Sequence, residues 1–411
     1  MKVYCVGGAV RDELLGLPIT DRDWVVVGET PDKMLSLGFK QVGKDFPVFL
    51  HPDTQEEYAL ARTEKKVGPG YQGFICHADP SVTLEEDLAR RDLTINAMAR
   101  TSDGTLIDPF HGQQDLQNRL LRHVSPAFSE DPLRVLRVAR FMARYTHLGF
   151  RVTEETLALM QSMAKELTAL SAERVWMELE KALAAPAPQA FIQTLRACNA
   201  LCLVLPEIDA LYGVPQPLKH HPEGDTGKHI ELVLEQAAKL SPEPVVRFAA
   251  LMHDVGKGTT PPDLWPKHHG HEERGVTLVK KCCERLKVPH HFTALALAVT
   301  QYHGLVYRIQ ELRPATVLKV LSRVDAFRRP ERLPLFLQAC EADFRGRPGF
   351  ETKPDIVSNV WMRCFEAAQA VDVKAHITPT MTGPDIEQIV QRLRGEAIGS
   401  VKRLLAPDSG I

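Results

Sequence analysis

The 411-residue chain has no apolar run that approaches the length of a membrane span. No secretory signal is expected at its start, because Arg11, Asp12 and Glu13 interrupt any apolar region there. Neither sign of charge is in excess. The formal net charge is −2, so any RNA contact must come from local basic patches rather than bulk charge. The eight cysteines show no paired metal-ligand spacing; Cys282 and Cys283 are adjacent, and Cys198 and Cys202 are four apart. They read as reduced core thiols of a cytoplasmic protein. There is no internal repeat and no low-complexity tract. What remains is an ordinary composition, 44% hydrophobic and 25% charged, in a chain long enough for two or three domains with their own cores.

The organising stretch is Val3 to Gly28. A short apolar run, Val3 to Val6, leads into Gly7 and Gly8, a short helix from Ala9 to Leu15, and a second apolar run from Trp24 to Val27. The pattern predicts strand, glycine turn, helix, strand. Asp21 and Asp23 stand at the entrance of the second strand, two residues apart, and so project to one face. Such a pair suits divalent metals that hold a triphosphate and activate a hydroxyl. The same pattern also fits a solvated turn. The glycine pair lets backbone amides approach phosphate oxygens. Gly7-Gly8-x-Val10-Arg11-Asp12-x-Leu14-Leu15-Gly16 followed by Asp21-x-Asp23 resembles the head of the class II tRNA nucleotidyltransferases and bacterial poly(A) polymerases. These belong to the polymerase-β nucleotidyltransferase superfamily.

Further strands are expected at Phe39 to Val42, Pro47 to Leu50 and Glu57 to Ala61, with a hairpin turn at His51 to Thr54. Glu57 is either a third carboxylate or an exposed edge-strand acid. Lys65 to Gly73 reads as a mobile loop. The segment Arg90-Arg91-Asp92-x-Thr94-x-Asn96 resembles the family's second motif, which implies Arg91 for phosphate and Asp92 for the sugar. Arginine suits phosphate because its planar fork donates two parallel hydrogen bonds. Asp108 to His123 resembles the next family stretch.

Glu130 to Arg134 opens a helix running to about Tyr145, with Pro132 at its first position and Asp131 as its cap. Asp131 and Arg134 also share a face. They offer an acceptor beside a donor, which matches the amine and bare ring nitrogen of cytosine and adenine and mismatches uracil and guanine. The pair resembles the family's amino-acid template for CTP and ATP. Arg134, Arg137, Arg140 and Arg144 form a stripe that is either a solvated basic face or a set of phosphate contacts. By the resemblance, Gly8, Arg11, Arg91, Arg137 and Arg140 match nucleotide-binding positions, and Asp21 and Asp23 hold magnesium.

Val152 to Leu205 is strongly helical, with Ser171 capping Ser171 to Leu183, and Pro206 to Pro222 reads as a linker. Beyond it, His253-Asp254-Val255-Gly256-Lys257 follows an apolar helix. Adjacent His and Asp side chains can meet one metal only at a helix end, which Gly256 provides. With His229 upstream and Asp343 downstream, the pattern resembles the HD metal-dependent phosphohydrolases. His271 and His303 resemble the ligands of a second metal in some HD domains. Imidazole and carboxylate together suit nickel, manganese, cobalt or zinc. His220, His221, His268, His269, His290 and His291 read as surface residues. After Thr382 an amphipathic helix is expected to pack on the bundle.

Taken in order, the motifs resemble the CCA-adding enzymes that carry a C-terminal HD domain. The resemblance implies an α+β chain: a polymerase-β-like nucleotidyltransferase head with a small mixed sheet (1–140), an all-α neck (141–215), an all-α HD domain (228–345) and a helical tail (346–411). It implies CCA addition to tRNA from CTP and ATP, with magnesium in the head. It also implies 2′,3′-cyclic phosphodiesterase, 2′-nucleotidase and phosphatase activities in the HD half with nickel. The partners expected are tRNA, ATP and CTP, with no membrane, in a monomer or homodimer. A poly(A) polymerase is the nearest rival, but that group usually has a basic tail, absent here, and typically lacks an HD domain. A non-catalytic RNA-binding protein with a decayed transferase fold and a nucleotide-signalling hydrolase in which the HD domain is the main activity are the others.

Overall fold

The computed structural model describes residues 1–42, 48–66, 74–378 and 380–405. The chain forms two compact units, Met1–Ala182 with Ala190–Val204, and Leu183–Gln189 with Leu205–Ile411.

The first unit is built on a mixed sheet. Its strands are β1 (Lys2–Val6), β2 (Asp23–Val27), β3 (Lys40–Val42), β4 (Val48–Leu50) and β5 (Glu57–Leu60). A separate hairpin follows, β6 (Thr63–Lys66) with β7 (Phe74–His77), and then β8 (Ala99–Arg100) and β9 (Leu106–Ile107). The sheet order is β3-β4-β5-β2-β1-β8-β9, with β2 and β5 parallel and the remaining neighbours antiparallel. The run Trp24 to Val27 is apolar throughout because the sheet is covered on both faces. Val25 packs with Val6, Leu88 and Ala97 on one side, and Val26 with Met34, Phe49 and Leu60 on the other. Helices α1 (Gly8–Leu14), α2 (Pro31–Ser36), α3 (Leu84–Ala89), α4 (Gly112–Gln117) and α5 (Leu133–Tyr145) surround or follow the strands. Then come α6 (Glu154–Met163), α7 (Ala172–Leu183), α8 (Gln189–Ala197) and α9 (Leu201–Val204).

Three expectations change here. The second strand begins at Asp23, so Asp21 lies ahead of it rather than within it. Glu57 is not on an edge: β5 lies between β4 and β2, and Glu57 pairs in register with Asp23. Cys202 is exposed and Cys5 half-buried, so not all thiols are in the core. Pro47 and residues 67–73 of the expected loop lie outside the described residues.

The second unit is all helical, with α10 (Pro206–Asp209), α11 (Thr226–Leu240), α12 (Pro244–Met252), α13 (His271–Arg285), α14 (His290–Val306), α15 (Pro314–Arg323), α16 (Arg332–Arg345), α17 (Ser358–Gln369) and α18 (Gly383–Leu404). α12 packs against α11, α14 and α16, and α18 packs on α15 and α17, as its amphipathic pattern predicts. The proline-rich stretch is no loose linker. Ile208, Leu211 and Val214 are buried, Gln216 is buried too, and Pro215 bridges Asp225. Prolines punctuate the stretch, but its apolar residues have somewhere to pack.

One backbone contact controls the centre of this unit. A Cβ on Gly256 would stand 1.9 Å from the His271 carbonyl oxygen and 2.6 Å from the Gly275 amide nitrogen. Gly256→Ala should therefore destabilise the protein by ~1–3 kcal/mol through overpacking. Gly395→Ala, in α18 with nothing within 4 Å of its Cβ position, should stabilise by about 0.5–1 kcal/mol. Urea unfolding followed by circular dichroism checks both; equal effects would contradict the packing account.

Candidate active sites

The first unit contains an open cleft of about 690 Å³ whose walls carry all ten head residues singled out above: Gly8, Arg11, Asp21, Asp23, Arg91, Asp92, Asp131, Arg134, Arg137 and Arg140. They come from α1, the entrance of β2, the turn after α3, and α5 with the residues just ahead of it. Gly7 makes the turn between β1 and α1. Its φ is +70°, its amide donates to the Met98 carbonyl at 3.2 Å, and a Cβ there would come within 2.7 Å of Arg91 Nη1. Gly7 is thus required for both backbone and side-chain reasons. Asp21 and Asp23 are exposed at the mouth and also border a second cleft with Glu57. Asp21 and Asp23, which border both clefts, offer carboxylate oxygens, a donor chemistry that fits a hard cation such as magnesium.

The arginines are fixed from behind. Asp12, buried, accepts from Arg11 Nε at 2.9 Å, Arg144 Nη2 at 2.9 Å and the Tyr145 hydroxyl at 3.0 Å. Arg11 also donates to Asn96 Oδ1 at 2.5 Å. Asp87, fully buried, accepts from Arg90 at 2.7 Å and Arg91 at 3.3 Å. Arg137 Nε donates to Asp92 at 2.7 Å, and Arg140 Nε to Glu178 at 2.6 Å. Burial alone would raise the Asp92 carboxyl, but the Arg137 charge, with hydrogen bonds from Asn96 and Arg137, holds it well below the usual carboxylate range. The Phe141 ring lies among the guanidinium groups of Arg140, Arg11 and Arg137, at 4.5, 5.3 and 5.8 Å.

Asp131 and Arg134 are placed at the start of α5 as expected. Asp131 is extended and Pro132 already helical, so Asp131 is the cap in geometry: its Oδ1 accepts from the Leu133 amide at 3.0 Å. Its Oδ2 accepts from Arg174 at 2.9 Å. Arg134 donates to the carbonyls of Ala127 and Arg90, each at 2.5 Å. Both side chains are therefore held in one position while lining the cleft.

In the second unit α12 ends at Met252, and His253 and Asp254 turn inward at the break. His229 from α11, His271 from α13, His303 from α14 and Asp343 from α16 converge on them, bringing all six expected residues together. Asp343 Oδ1 lies 3.0 Å from His229 Nε2 and 3.7 Å from His253 Nε2. Asp254 Oδ1 lies 3.2 Å from His271 Nε2 and 3.5 Å from His303 Nε2. The Nδ1 atoms of His253, His271 and His303 face the carbonyls of Ala250, His268 and Val299 at 2.7, 2.9 and 3.0 Å. Each Nδ1 is thus turned to a carbonyl, and each Nε2 faces a carboxylate oxygen. Buried His253 Nε2, His271 Nε2 and Asp254 Oδ1 have no hydrogen-bond partner. Imidazole nitrogens and carboxylate oxygens gathered within 4.8 Å of one another make a ligand set for a cation. The donor set fits a transition metal.

Two of the histidines read as surface residues are not. His221 is half-buried, with Nδ1 3.0 Å from Glu223, and His268 is buried between Thr260 and the Pro215 carbonyl. The expectation failed because neither has a local apolar pattern; the turns around Gly224 and Gly270 fold them in.

Three family profiles cover most of the chain: "Poly A polymerase head domain" over residues 3–122, "Probable RNA and SrmB- binding site of polymerase A" over 149–212, and "HD domain" over 226–329. A "Multifunctional CCA protein" of Thioalkalivibrio sulfidiphilus (strain HL-EbGR7) is 58% identical over 408 residues, covering 98% of this chain and 99% of that one. The chain belongs to the multifunctional CCA protein family. Solved structures share the fold. A Thermotoga maritima CCA-adding enzyme complexed with tRNA matches with a TM-score of 0.60 at 21% identity, covering 98% of this chain and 91% of that one. A Bacillus stearothermophilus CCA-adding enzyme in complex with CTP matches at 0.59 and 23%, covering 97% and 89%. No helix among the described residues is long and apolar enough to cross a membrane.

In this member of the multifunctional CCA protein family, the residues that escaped sequence reasoning lie one layer behind the clefts. Asp12, Asp87 and Glu178 hold arginines; Glu223 Oε1 lies 2.7 Å from His229 Nδ1; Lys257 Nζ reaches Asp254 at 2.6 Å. Lys257 stood in the quoted motif, which was its available signal. The purified protein should retain a transition metal measurable by inductively coupled plasma mass spectrometry. His253→Ala should lose most of that metal with its circular dichroism unchanged; full retention would contradict the ligand assignment.

Proposed function

We propose that the head adds C, C and A to the 3′ end of tRNA from CTP and ATP without a nucleic-acid template, in the cytoplasm. The observation that carries this reading is the single cleft in which two exposed carboxylates, a stripe of anchored arginines and the Asp131/Arg134 pair stand together. The tRNA 3′-hydroxyl attacks the α-phosphate, a new phosphodiester forms, the α–β phosphorus–oxygen bond breaks and pyrophosphate leaves. Magnesium held by Asp21 and Asp23 would supply Lewis acidity and help the hydroxyl lose its proton. Arg11, Arg91, Arg137 and Arg140 bind the triphosphate, Gly8 lets the chain approach it, and Asp92 orients Arg137 beside the sugar. Asp131 and Arg134 read the base edge. Their fixed positions support that role, because a template made of side chains must not move between nucleotides. The relative's name, "Multifunctional CCA protein", supports CCA addition over poly(A) synthesis, as does the HD domain.

The HD site is a metal-dependent phosphohydrolase acting on 2′,3′-cyclic phosphates, 2′-nucleotides and phosphate monoesters, with nickel or another transition metal at His229, His253, Asp254 and Asp343. His271 and His303 hold a second metal. The converging imidazole nitrogens and carboxylates support this reading.

The test crosses two variants with two assays: nucleotide addition to tRNA lacking its CCA end, and hydrolysis of a 2′,3′-cyclic nucleotide. Asp23→Ala should abolish addition of both C and A and leave hydrolysis intact; His253→Ala should do the reverse. Addition of A alone, or a long A tail, by the wild-type protein would overturn the CCA reading.

A further inference from the structure

Arg347 sits beside the His–Asp cluster, in a position the fold enforces. α16 ends at Arg345, and Gly346 then packs so closely on α11 that a Cβ would come within 2.5 Å of Val233 Cγ2 and 3.0 Å of its backbone. That contact ties the turn carrying Arg347 to the helix carrying His229. Arg347 Nη2 stands 3.5 Å from Asp343 Oδ1, and its Nε is buried with no hydrogen-bond partner. A buried guanidinium donor without an acceptor is unfavourable, and a ligand oxygen would satisfy it.

The side chain lines an open cleft of about 510 Å³ shared with His221, Lys257, Lys267, His271 and Glu272. Glu272 is the one acid among its described lining residues, and it lies 3.2 Å from His271 Nδ1. Lys257 is already engaged by Asp254 and Gln216, each at 2.6 Å. The cleft therefore favours an anion, and Arg347 is the cation whose buried donor awaits an acceptor.

We propose that Arg347 binds the phosphate of the HD substrate, receiving non-bridging oxygens on Nε and an adjacent Nη. This rests on the phosphohydrolase reading of the same site. A guanidinium fork matches two oxygens of one phosphate. A terminal monoester carries two negative charges and three non-bridging oxygens, whereas a cyclic diester carries one and two. Arg347 therefore favours monoesters over cyclic diesters.

The test uses full-length, metal-loaded protein, wild type and the variants Arg347→Met and Arg347→Lys. Inorganic phosphate binding is measured by titration calorimetry, metal content by mass spectrometry, and KM and kcat on 2′-AMP and 2′,3′-cyclic AMP. Arg347→Met should keep its metal, bind phosphate roughly 10- to 100-fold more weakly, and raise KM for 2′-AMP more than for the cyclic ester. Arg347→Lys should recover part of the phosphate affinity, having the charge without the fork. Unchanged phosphate binding overturns the assignment. So does loss of metal with a matching fall in kcat on both esters, which would make Arg347 only a partner of Asp343. If wild-type protein hydrolyses neither ester, the phosphohydrolase reading falls, and the phosphate titration still decides whether Arg347 is an anion ligand.

Discussion

The head depends on pairing arginines of the cleft with buried acids. Asp12, Asp87, Asp92 and Glu178 are each at most 6% exposed, and between them they hold Arg11, Arg91, Arg137 and Arg140. Guanidinium groups facing one cleft repel one another and would swing apart on flexible stems. A charge-assisted bond from behind fixes each stem and leaves other donors of the fork to face the cleft. The acids do not make the cleft negative, because each is neutralised where it lies. The result is an electrostatic surface organised before any ligand arrives.

The second unit uses the same device with other chemistry. Backbone carbonyls at Ala250, His268 and Val299 hold the Nδ1 atoms of three histidines, which turns their Nε2 atoms toward Asp254 and Asp343. Glu223 does for His229 what the carbonyls do for the others. In both units an outer layer decides what the inner layer presents. The glycines serve this arrangement: Gly7 leaves room for Arg91, and Gly256 lets the turn after Asp254 press against the start of α13.

Sequence reasoning reached the inner layer and stopped there. Gly7-Gly8, Asp21-x-Asp23 and Arg91-Asp92 could be read because turns, alternation and short spacing are local properties. His253 and Asp254 were legible because a His–Asp pair at a helix end has few other uses; His229, Asp343, His271 and His303 came from the resemblance to the HD phosphohydrolases. Asp87 and Glu178 could not be read, since an acid in a charged helix looks the same whether it faces water or an arginine far along the chain. The stretch from Pro206 to Pro222 failed for the opposite reason: its prolines suggested a linker, while burial of Ile208, Leu211 and Val214 is a tertiary fact. His221 and His268 were misplaced likewise.

The central claim is that buried acids make the arginines effective, and Glu178 tests it most directly because it does not line the cleft and its carboxylate bonds Arg140 Nε directly. Removing a negative charge near a triphosphate site would by Coulomb's law alone tighten CTP binding. The measurement is the CTP dissociation constant of the wild-type protein, Glu178→Gln, Arg140→Ala and the double variant. The account predicts weaker binding in Glu178→Gln and a double variant no weaker than Arg140→Ala alone, a coupling of ~0.5–3 kcal/mol. Tighter binding in Glu178→Gln, or strictly additive losses, would contradict it.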